Sequence, residues 1–283
     1  MPNFPIVDTH LHLWDLGRIR YPWLAGVPLL NRNHLLDDYR QACGPTQVAK
    51  MVFVQCECDP AQSYEEAQWV TENARIDPRI RGIVAQAPLE KGDAVEGDLA
   101  RLAANPLVKG IRRLIQSESD DAFCLRPDFV RGVQLLPRHG LSFDLCIFHR
   151  QLANTIKLVR QCPNVTFILD HIGKPDIKTG LLDPWRAELR ELSRLENVWC
   201  KVSGLVTEAD FTRWTPAHLK PYLDHVFDCF GFDRVMFGGD WPVSTQATDY
   251  PRWVTTLDAA LQGCSQDERH QIYVRNAEAF YRV

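Results

Sequence analysis

Residues 6–13, which read IVDTHLHL, are the stretch that decides the fold. The stretch begins with apolar and β-branched residues, and it places His10 and His12 near its end. A short apolar run of this kind is typical of a buried strand. The first strand of an open nucleotide-binding sheet would lead into a glycine-rich loop, whereas this one leads into histidines. Because residues i and i+2 of a strand point to the same side, we expect both imidazoles on one side of the sheet.

Seven further apolar runs follow along the chain. They are residues 51–56, 82–87, 110–115, 141–147, 166–170, 198–203 and 235–239, which makes eight runs with residues 6–13. Apolar residues at helical spacing predict helices at residues 64–76, 98–104, 128–138, 151–160, 185–195, 217–230 and 267–283. Strands that alternate with helices form parallel sheets, and eight such units predict an α/β fold, a (β/α)8 TIM-type barrel. Residues 17–36 interrupt the alternation, and we expect them to form a loop lid over the C-terminal face.

The size and composition of the chain agree with a single barrel domain over residues 1–283. A barrel of this kind takes about 250 residues. The net charge of −4 argues against a nucleic-acid partner, and no apolar stretch is long enough for a membrane helix. The nine cysteines lack the spacing of a zinc clip, and the N-terminus lacks a signal-peptide pattern. We therefore expect reduced thiols in a cytoplasmic protein, either a monomer or a homodimer.

Two more polar groups follow the sixth and eighth predicted strands. His171 precedes the tripeptide Gly-Lys-Pro, which is expected to end its strand. Asp240 follows two glycines, which would allow the backbone to approach a ligand closely. Active sites of barrels lie at the carboxyl ends of the strands, and strands one and eight are neighbours in a closed barrel. We therefore expect His10, His12, His171 and Asp240 to converge in one active site.

These motifs resemble the amidohydrolase superfamily, in the branch that holds the sugar-acid lactonases and pyrone-dicarboxylate lactonase. The motifs that carry the resemblance are VDTHLH at residues 7–12, LDHIGKP at residues 169–175 and GGDWP at residues 238–242. Residues 12–15, HLWD, and residues 21–24, YPWL, are similar to the L-fuconolactone and L-rhamnonolactone hydrolases. The resemblance extends from residue 6 to residue 281. It implies a lactonase of carbohydrate metabolism, which hydrolyses a small cyclic ester.

The resemblance also bears on metal binding. Binuclear members of the superfamily carry a bridging lysine or glutamate at the end of strand four, where this chain has Arg112 and Arg113, which cannot bridge cations. His149 comes late in the fifth predicted strand and is not counted as a ligand. We expect at most one divalent cation, with zinc as the first choice, held by His10, His12, His171 and Asp240. Catalysis without a metal stays open.

Lactone hydrolysis needs an activated water, a polarised carbonyl and a proton for the leaving alkoxide. We expect Asp240 to act as the general base, and the three histidines to polarise the carbonyl directly or through a metal. Six further residues near the predicted mouth are expected to bind substrate: Arg112, Trp14, Trp23, Glu57, Lys201 and Trp241. The planar guanidinium suits a carbonyl or carboxylate, and the tryptophan rings suit the apolar faces of a sugar. Each tryptophan fits packing under a loop equally well.

Other functions remain open on the same scaffold. One is a metal-dependent decarboxylase of an aromatic or muconate-type acid, which would need its metal strictly. Another is a hydrolase of pyrones or muconolactones, whose carboxylates would favour clustered arginines. Arg112 and Arg113 are adjacent on one strand, so only one can face the site, which favours a neutral polyol lactone. A non-catalytic barrel would lack one of the four rim groups, and none is lacking.

Overall fold

Eight parallel strands pair in chain order in a computed structural model that describes residues 1–283. The strands are β1 (Ile6–Leu11), β2 (Val48–Val54), β3 (Ile80–Ala85), β4 (Val108–Ile111), β5 (Ser142–Leu145), β6 (Phe167–Leu169), β7 (Val198–Val202) and β8 (Val235–Phe237). A parallel bridge between Leu11 and Trp241 joins the first strand to the segment that follows the last one. The expected (β/α)8 barrel is thereby confirmed.

Helices follow every strand and cover the outside of the barrel. They are α1 (Leu36–Cys43), α2 (Ser63–Ile76), α3 (Glu96–Ala103), α4 (Pro127–Leu135), α5 (Leu152–Gln161), α6 (Trp185–Ser193), α7 (Pro216–Phe230) and α8 (Tyr250–Ala260). The sequence patterns did not predict α1 and α8. α1 is only eight residues long and mostly polar, whereas α8 begins at a side-chain cap, where Asp249 accepts a hydrogen bond from the Arg252 N–H. The short α1 gives little periodicity signal, whereas Tyr250, Trp253, Val254 and Leu257 of α8 are buried at helical spacing, a pattern in the sequence that went unrecognised.

The strands end earlier than the apolar runs predict. The run at residues 110–115 continues four residues past the end of β4 at Ile111, and the run at residues 235–239 continues two past the end of β8 at Phe237. Residues beyond these ends leave the hydrogen-bonded ladder. Glu57 and Asp240, beyond the ends of β2 and β8, adopt positive φ angles that a strand cannot accommodate. The functional side chains therefore lie mostly in the turns just above the barrel.

The C-terminal segment closes the lower end of the barrel, where the strands begin. The closing helix expected over residues 267–283 consists of α9 (Gln266–His270), one π-helical turn (Gln271–Arg275) and α10 (Asn276–Tyr281). Phe280 and Tyr281 of α10 are buried in one apolar cluster with Val7, Val84 and other strand residues. The end of the chain therefore packs directly against the residues that fill the barrel.

Residues 17–36 lie beside the upper end of the barrel. They contain one short 3₁₀ helix, Pro22–Gly26, and an antiparallel bridge joins their end at His34 back to Trp14. Leu24 and Leu30 are buried, so the segment is anchored to the core by apolar side chains. The lid function of this segment stays a prediction. None of the helices in the structure combines the length and apolar composition needed to cross a membrane.

Candidate active site

Backbone hydrogen bonds join the ends of β1 and β8 next to the candidate catalytic residues. The Asp240 N–H donates to the carbonyl of His10 at 2.7 Å, and the His12 N–H donates to the carbonyl of Trp241 at 2.8 Å. Because these bonds alternate along the junction, the positions of Asp240 and of the two histidines are fixed relative to each other. The barrel closure and the site are thus made by the same residues.

Asp8 holds this junction from below. One of its carboxylate oxygens accepts the N–H groups of His10, at 3.0 Å, and Gly239, at 2.8 Å. The other accepts the hydroxyl groups of Tyr39 and Tyr250, at 2.8 and 2.9 Å. Burial raises the pKa of Asp8, and these four donors oppose that rise. Asp8 therefore acts as a buried anchor between the two strand ends, a role that its position in the sequence did not predict.

Three imidazoles surround the Asp240 carboxylate. His12 Nε2 lies 3.6 Å, and His10 Nε2 lies 3.8 Å, from Asp240 Oδ1. The rings of His10 and His171 are 4.4 Å apart, centre to centre. His12 Nδ1 is 2.7 Å from the Val54 carbonyl, so this nitrogen donates to the backbone and Nε2 is the nitrogen that faces Asp240. The four residues expected at the rim thus lie within one small cluster.

Burial sets the charge of this cluster. It lowers the pKa of His10 well below the ordinary value and lowers the pKa of His171 to about 4. Burial alone would raise the pKa of Asp240, but the neighbouring His171, His12 and His10 outweigh it and hold the pKa low. At neutral pH the site therefore contains an ionised Asp240 with neutral His10 and His171 beside it.

His171 lies in an unusual left-handed turn. Four consecutive residues have positive φ: His171 (53°), Ile172 (52°), Gly173 (77°) and Lys174 (47°). The Lys174 N–H donates to the His171 carbonyl at 2.9 Å and closes the turn. Left-handed backbone costs about 1–2 kcal/mol for each non-glycine residue, and strain of this kind collects at functional sites. The turn directs His171 Nδ1 to within 2.9 Å of Ser203 Oγ on the neighbouring strand end.

A buried chain of ion pairs lies beneath the histidines. Arg112 Nη1 donates to Asp170 Oδ2 and contacts His10 Nε2, both at 3.2 Å. Lys201 Nζ lies 3.1 Å from Asp170 Oδ1 and 2.6 Å from Asp144 Oδ2. Two cations and two carboxylates balance in this chain, as buried charges must. Because a guanidinium only donates, His10 Nε2 accepts here, and the proton of His10 is on Nδ1, which faces Asp170 at 3.4 Å.

A cavity of about 340 Å³ opens above the cluster. Seven of the residues expected in the site line it: His12, His171, Asp240, Arg112, Trp14, Trp23 and Glu57. The Trp14 and Trp23 rings meet edge to face, 5.7 Å apart. Glu57 accepts a hydrogen bond from the Gln55 amide at 2.8 Å. The volume lies at the small end of the range for ligand pockets, which suits a molecule of sugar size.

Three of the expected residues do not line the cavity. His10 is completely buried behind His12, and Lys201 is completely buried in the ion-pair chain. Trp241 packs against His34 and Tyr39, outside the cavity. Lys201 was expected to bind substrate, but its ammonium group reaches Asp170 and Asp144 and not the cavity. The alternation of side chains along a strand predicts the side of the sheet to which a residue points, but not how far below the cavity it lies.

Several cavity residues were not expected from the sequence. They are Lys174, Gln116, Ser117, Thr207, Cys56, Cys146, Leu114 and Val243. Lys174 belongs to the GKP tripeptide, which was interpreted only as the end of a strand. Gln116 and Ser117 lie beyond the end of β4 and carry no sequence signal of their own. Their position depends on how the turns above the barrel fold.

Glycines near the site serve packing within the protein. A Cβ on Gly204, whose φ is 64°, would collide with the imidazole of His171 and lie 3.0 Å from Asp240 Oδ2. A Cβ on Gly238 would lie 2.7 Å from His10 Cβ, and one on Gly239 would lie 2.5 Å from Asp8 Oδ2. The expectation that Gly238 and Gly239 admit a ligand is therefore corrected. The space left by their missing Cβ atoms is filled by side chains of the protein itself.

Two overlapping groups of three side chains could each hold a divalent cation, and the expected set of His10, His12, His171 and Asp240 is divided between them. The ligand atoms of His10, His12 and Asp240 lie within 4.8 Å of one another, as do those of His10, Asp170 and His171. Imidazole and carboxylate are the ligands of catalytic zinc. The hydrogen bond from His12 Nδ1 to a backbone carbonyl is the kind that orients a metal-binding imidazole. At His10, a cation would have to replace the Arg112 donor that now contacts Nε2.

Comparison with known proteins agrees with this geometry. The sequence profile of the family described as "Amidohydrolase" matches residues 7–283. An L-fucono-1,5-lactonase from Burkholderia multivorans is 35% identical, over 98% of this chain and 96% of its own length. An L-rhamnono-gamma-lactonase from Scheffersomyces stipitis is 27% identical over the full length of both chains.

A solved structure is also closely similar. A crystal structure of an amidohydrolase from Burkholderia multivorans with bound zinc superposes with a TM-score of 0.89 and 31% identity. It covers 99% of this chain and 100% of its own. The barrel and the order of its elements are therefore shared from one end of the chain to the other.

Proposed function

The chain belongs to the amidohydrolase family, and we propose that it hydrolyses a neutral sugar-acid lactone of the L-fucono- or L-rhamnono-lactone kind. The single observation that carries this proposal is the Asp240 carboxylate, with His10 and His12 less than 4 Å from it, at the wall of a small cavity that is open to the outside. Full-length similarity to lactonases that act on two different sugar acids supports the substrate class.

The walls of the cavity support a polyol substrate. Trp23 offers apolar ring surface, which suits the C–H face of a sugar, and the fully buried Trp14 packs edge to face against it. Glu57 offers a carboxylate as a hydrogen-bond acceptor for hydroxyl groups. Of the two adjacent arginines on the fourth strand, only Arg112 lines the cavity. This arrangement lacks the clustered arginines that a substrate with several carboxylates would favour.

In the proposed mechanism Asp240 accepts a proton from the attacking water. Its low pKa keeps it ionised over the whole neutral range, although it also makes the carboxylate a modest base. A lactone is an activated ester, so a modest base suffices. His12 Nε2 and the imidazole of His171 lie at the cavity wall, where they can orient the water and the lactone carbonyl. A divalent cation, when held by His10, His12, His171 and Asp240, would add Lewis-acid polarisation.

Burial keeps His10 neutral, and the ion-pair chain holds its ring in one orientation. Arg112 donates to Nε2, while Asp170 faces the Nδ1 proton. Because both sides of the ring are engaged, His10 supports the geometry around Asp240 without entering the cavity. We accordingly propose His10 and Lys201 as supporting residues, with Arg112 both lining the cavity and supporting His10.

The decisive experiment is a pH-indicator assay on a panel of aldonolactones, pyrone acids and muconolactones, before and after chelation. We expect acid release from the sugar lactones. Asp240→Asn keeps the shape of the side chain and removes the base, so it should lower kcat by about 10²–10⁴-fold. Asp224→Asn, on the exposed face of α7 and paired only with Lys220, is the matched control and should retain full activity.

Two results would contradict the proposal. Substantial turnover by Asp240→Asn, with a fold unchanged by circular dichroism, would remove Asp240 as the base. Release of carbon dioxide from an aromatic acid, with no acid release from any lactone, would identify the decarboxylase alternative instead. Loss of activity on chelation, restored by zinc, would show that the donor set works with a cation.

A further inference from the structure

Lys174 is a cation in the cavity wall to which the proposed mechanism assigns no task. Lys174 and Arg112 are the only lysine and arginine among the residues that line the cavity. A neutral lactone does not require a second cation, and keeping an ammonium group that is only 16% exposed has a cost in lost hydration. Within the protein, the Lys174 ammonium group has only one carboxylate in salt-bridge range, that of Glu208 at 3.9 Å, so it can still pair closely with an anion in the cavity.

The two cations differ in how far the protein occupies their donors. Arg112 donates through Nη1 to Asp170 and His10 and through Nη2 to the Gln55 carbonyl. Lys174 Nζ donates only to Gln116 Oε1, at 2.6 Å, and the nearest carboxylate, on Glu208, is 3.9 Å away. Since an ammonium group has three N–H donors, two of them on Lys174 are available to a ligand.

The backbone is arranged to bring Lys174 beside His171. His171 and Lys174 are the first and last of the four consecutive residues with positive φ, and both line the cavity. The Lys174 carbonyl accepts the His149 N–H at 3.4 Å and faces His149 Nδ1 at 3.1 Å, so the far end of the turn is held as well. Proteins maintain strained backbone where function requires a particular placement. Here the strain places one imidazole and one ammonium group on the same wall.

The reaction itself creates the missing negative charge. Water adds to the lactone carbonyl, the bond between that carbon and the ring oxygen breaks, and the ring oxygen takes up a proton to become a hydroxyl group. The new acid then loses a proton, so a neutral substrate becomes a carboxylate. An oxyanion on the same carbon precedes it. A cation at this end of the cavity would therefore bind the oxyanion and the carboxylate product more tightly than the neutral substrate.

We propose that Lys174 forms a carboxylate subsite, which binds the acid group produced by ring opening and stabilises the oxyanion that precedes it. The proposal rests on the lactonase function proposed above. In this arrangement Gln116 holds the ammonium group in place, because it is a neutral acceptor and does not cancel the charge. The ligand of the subsite is the aldonate product.

The test compares product binding with substrate binding in Lys174→Met. We expect the inhibition constant of the aldonate to rise about ten- to a hundredfold, the effect of one hydrogen bond to a charged group. KM for the neutral lactone should change less than about threefold, while kcat falls. Lys174→Arg should recover much of the product affinity. Lys178→Met removes the same charge from an exposed position of the same loop and should behave as the wild type.

Calorimetric titration of the aldonate into each variant gives a second measurement that needs no turnover. If the wild type opens no lactone, the proposed function fails, whereas the calorimetry still reports whether Lys174 binds a carboxylate. An unchanged aldonate affinity in Lys174→Met, together with a lower melting temperature, would overturn the subsite and leave Lys174 as a structural partner of Glu208. A rise in KM confined to lactones that already carry a carboxylate would overturn it too.

Discussion

Replacing Tyr281 by phenylalanine removes one hydroxyl group from the lower end of the barrel and leaves the ring in place. The Tyr281 hydroxyl donates to Asp144 Oδ2 at 2.8 Å, and the same oxygen accepts from Lys201 at 2.6 Å. Asp144 Oδ1 has no hydrogen-bond partner. The carboxylate is completely buried, so the hydroxyl supplies one of only two donors that replace its water.

The expected loss of stability in Tyr281→Phe follows from the negative charge of the acceptor, the Asp144 carboxylate. A hydrogen bond to a buried charged group contributes about 1.5–3 kcal/mol to the free energy of unfolding. For a chain of this size each kcal/mol moves the melting temperature by about 2–4 °C, so Tyr281→Phe should melt roughly 3–12 °C lower. Tyr273→Phe is the matched control. Its buried hydroxyl lies 3.5 Å from the Val254 carbonyl, a weak contact with a neutral acceptor, so its removal should change little.

The pH dependence of the loss identifies its cause. Burial raises the pKa of Asp144, while Lys201 and the Tyr281 hydroxyl lower it. Removing the hydroxyl raises the folded-state pKa further, and an acid with a raised folded-state pKa loses stability as pH rises from its unfolded-state pKa up to its folded-state pKa. The melting temperature of Tyr281→Phe should therefore lie further below that of the wild type at pH 8 than at pH 5, when both proteins are melted in matched buffers. Equal melting temperatures for Tyr281→Phe and the wild type at pH 8 would refute the reasoning.

Two further substitutions test the site and the core beside it. Gly204→Ala should lower kcat/KM at least tenfold, because its Cβ would displace His171, and steady-state kinetics with normal activity would show that the turn can relax. Glu66 is buried on α2, and burial raises its pKa to about 8. Such an acid costs stability as pH rises from about 4.5 towards 8, so Glu66→Gln should gain up to about 3–4 kcal/mol at pH 7.5 and only about 1 kcal/mol at pH 5. Denaturant unfolding at both pH values measures this, and an equal gain at both would exclude titration as the cause.

The sequence predicted the barrel because its signal is repeated. Eight apolar runs separated by amphipathic stretches leave few alternatives, so errors in single elements do not change the fold. The same repetition made His10, His12, His171 and Asp240 visible, since each lies at or just beyond the carboxyl end of a strand, and the barrel brings these ends to one face. Their individual positions were less predictable. The backbone leaves the strand ladder before residues such as Asp240, and short-range patterns do not encode where a ladder ends.

The residues that line the cavity could not all be predicted from the sequence, for a different reason. Lys201 and Arg112 are both basic residues near strand ends, but one is buried among carboxylates and the other reaches the cavity. Which outcome occurs depends on acidic partners on other strands, Asp144 and Asp170, whose positions follow from barrel geometry. Lys174 depends on a left-handed turn that no propensity favours. Residues whose roles depend on long-range partners or on strained backbone are therefore the ones that sequence patterns miss.

Charge balance connects these observations to the proposed chemistry. Within the buried chain, Arg112 and Lys201 are neutralised by Asp144 and Asp170, so little net charge from below acts on the site. Asp240 is then the one carboxylate in the catalytic cluster without a cationic side chain at salt-bridge distance, surrounded instead by imidazoles. A neutral lactone can enter such a site without a repulsive partner, while the anion formed on ring opening meets the Asp240 charge. Lys174, with unoccupied donors in the same cavity, offsets that repulsion, and for this reason its removal should affect the charged product more than the neutral substrate.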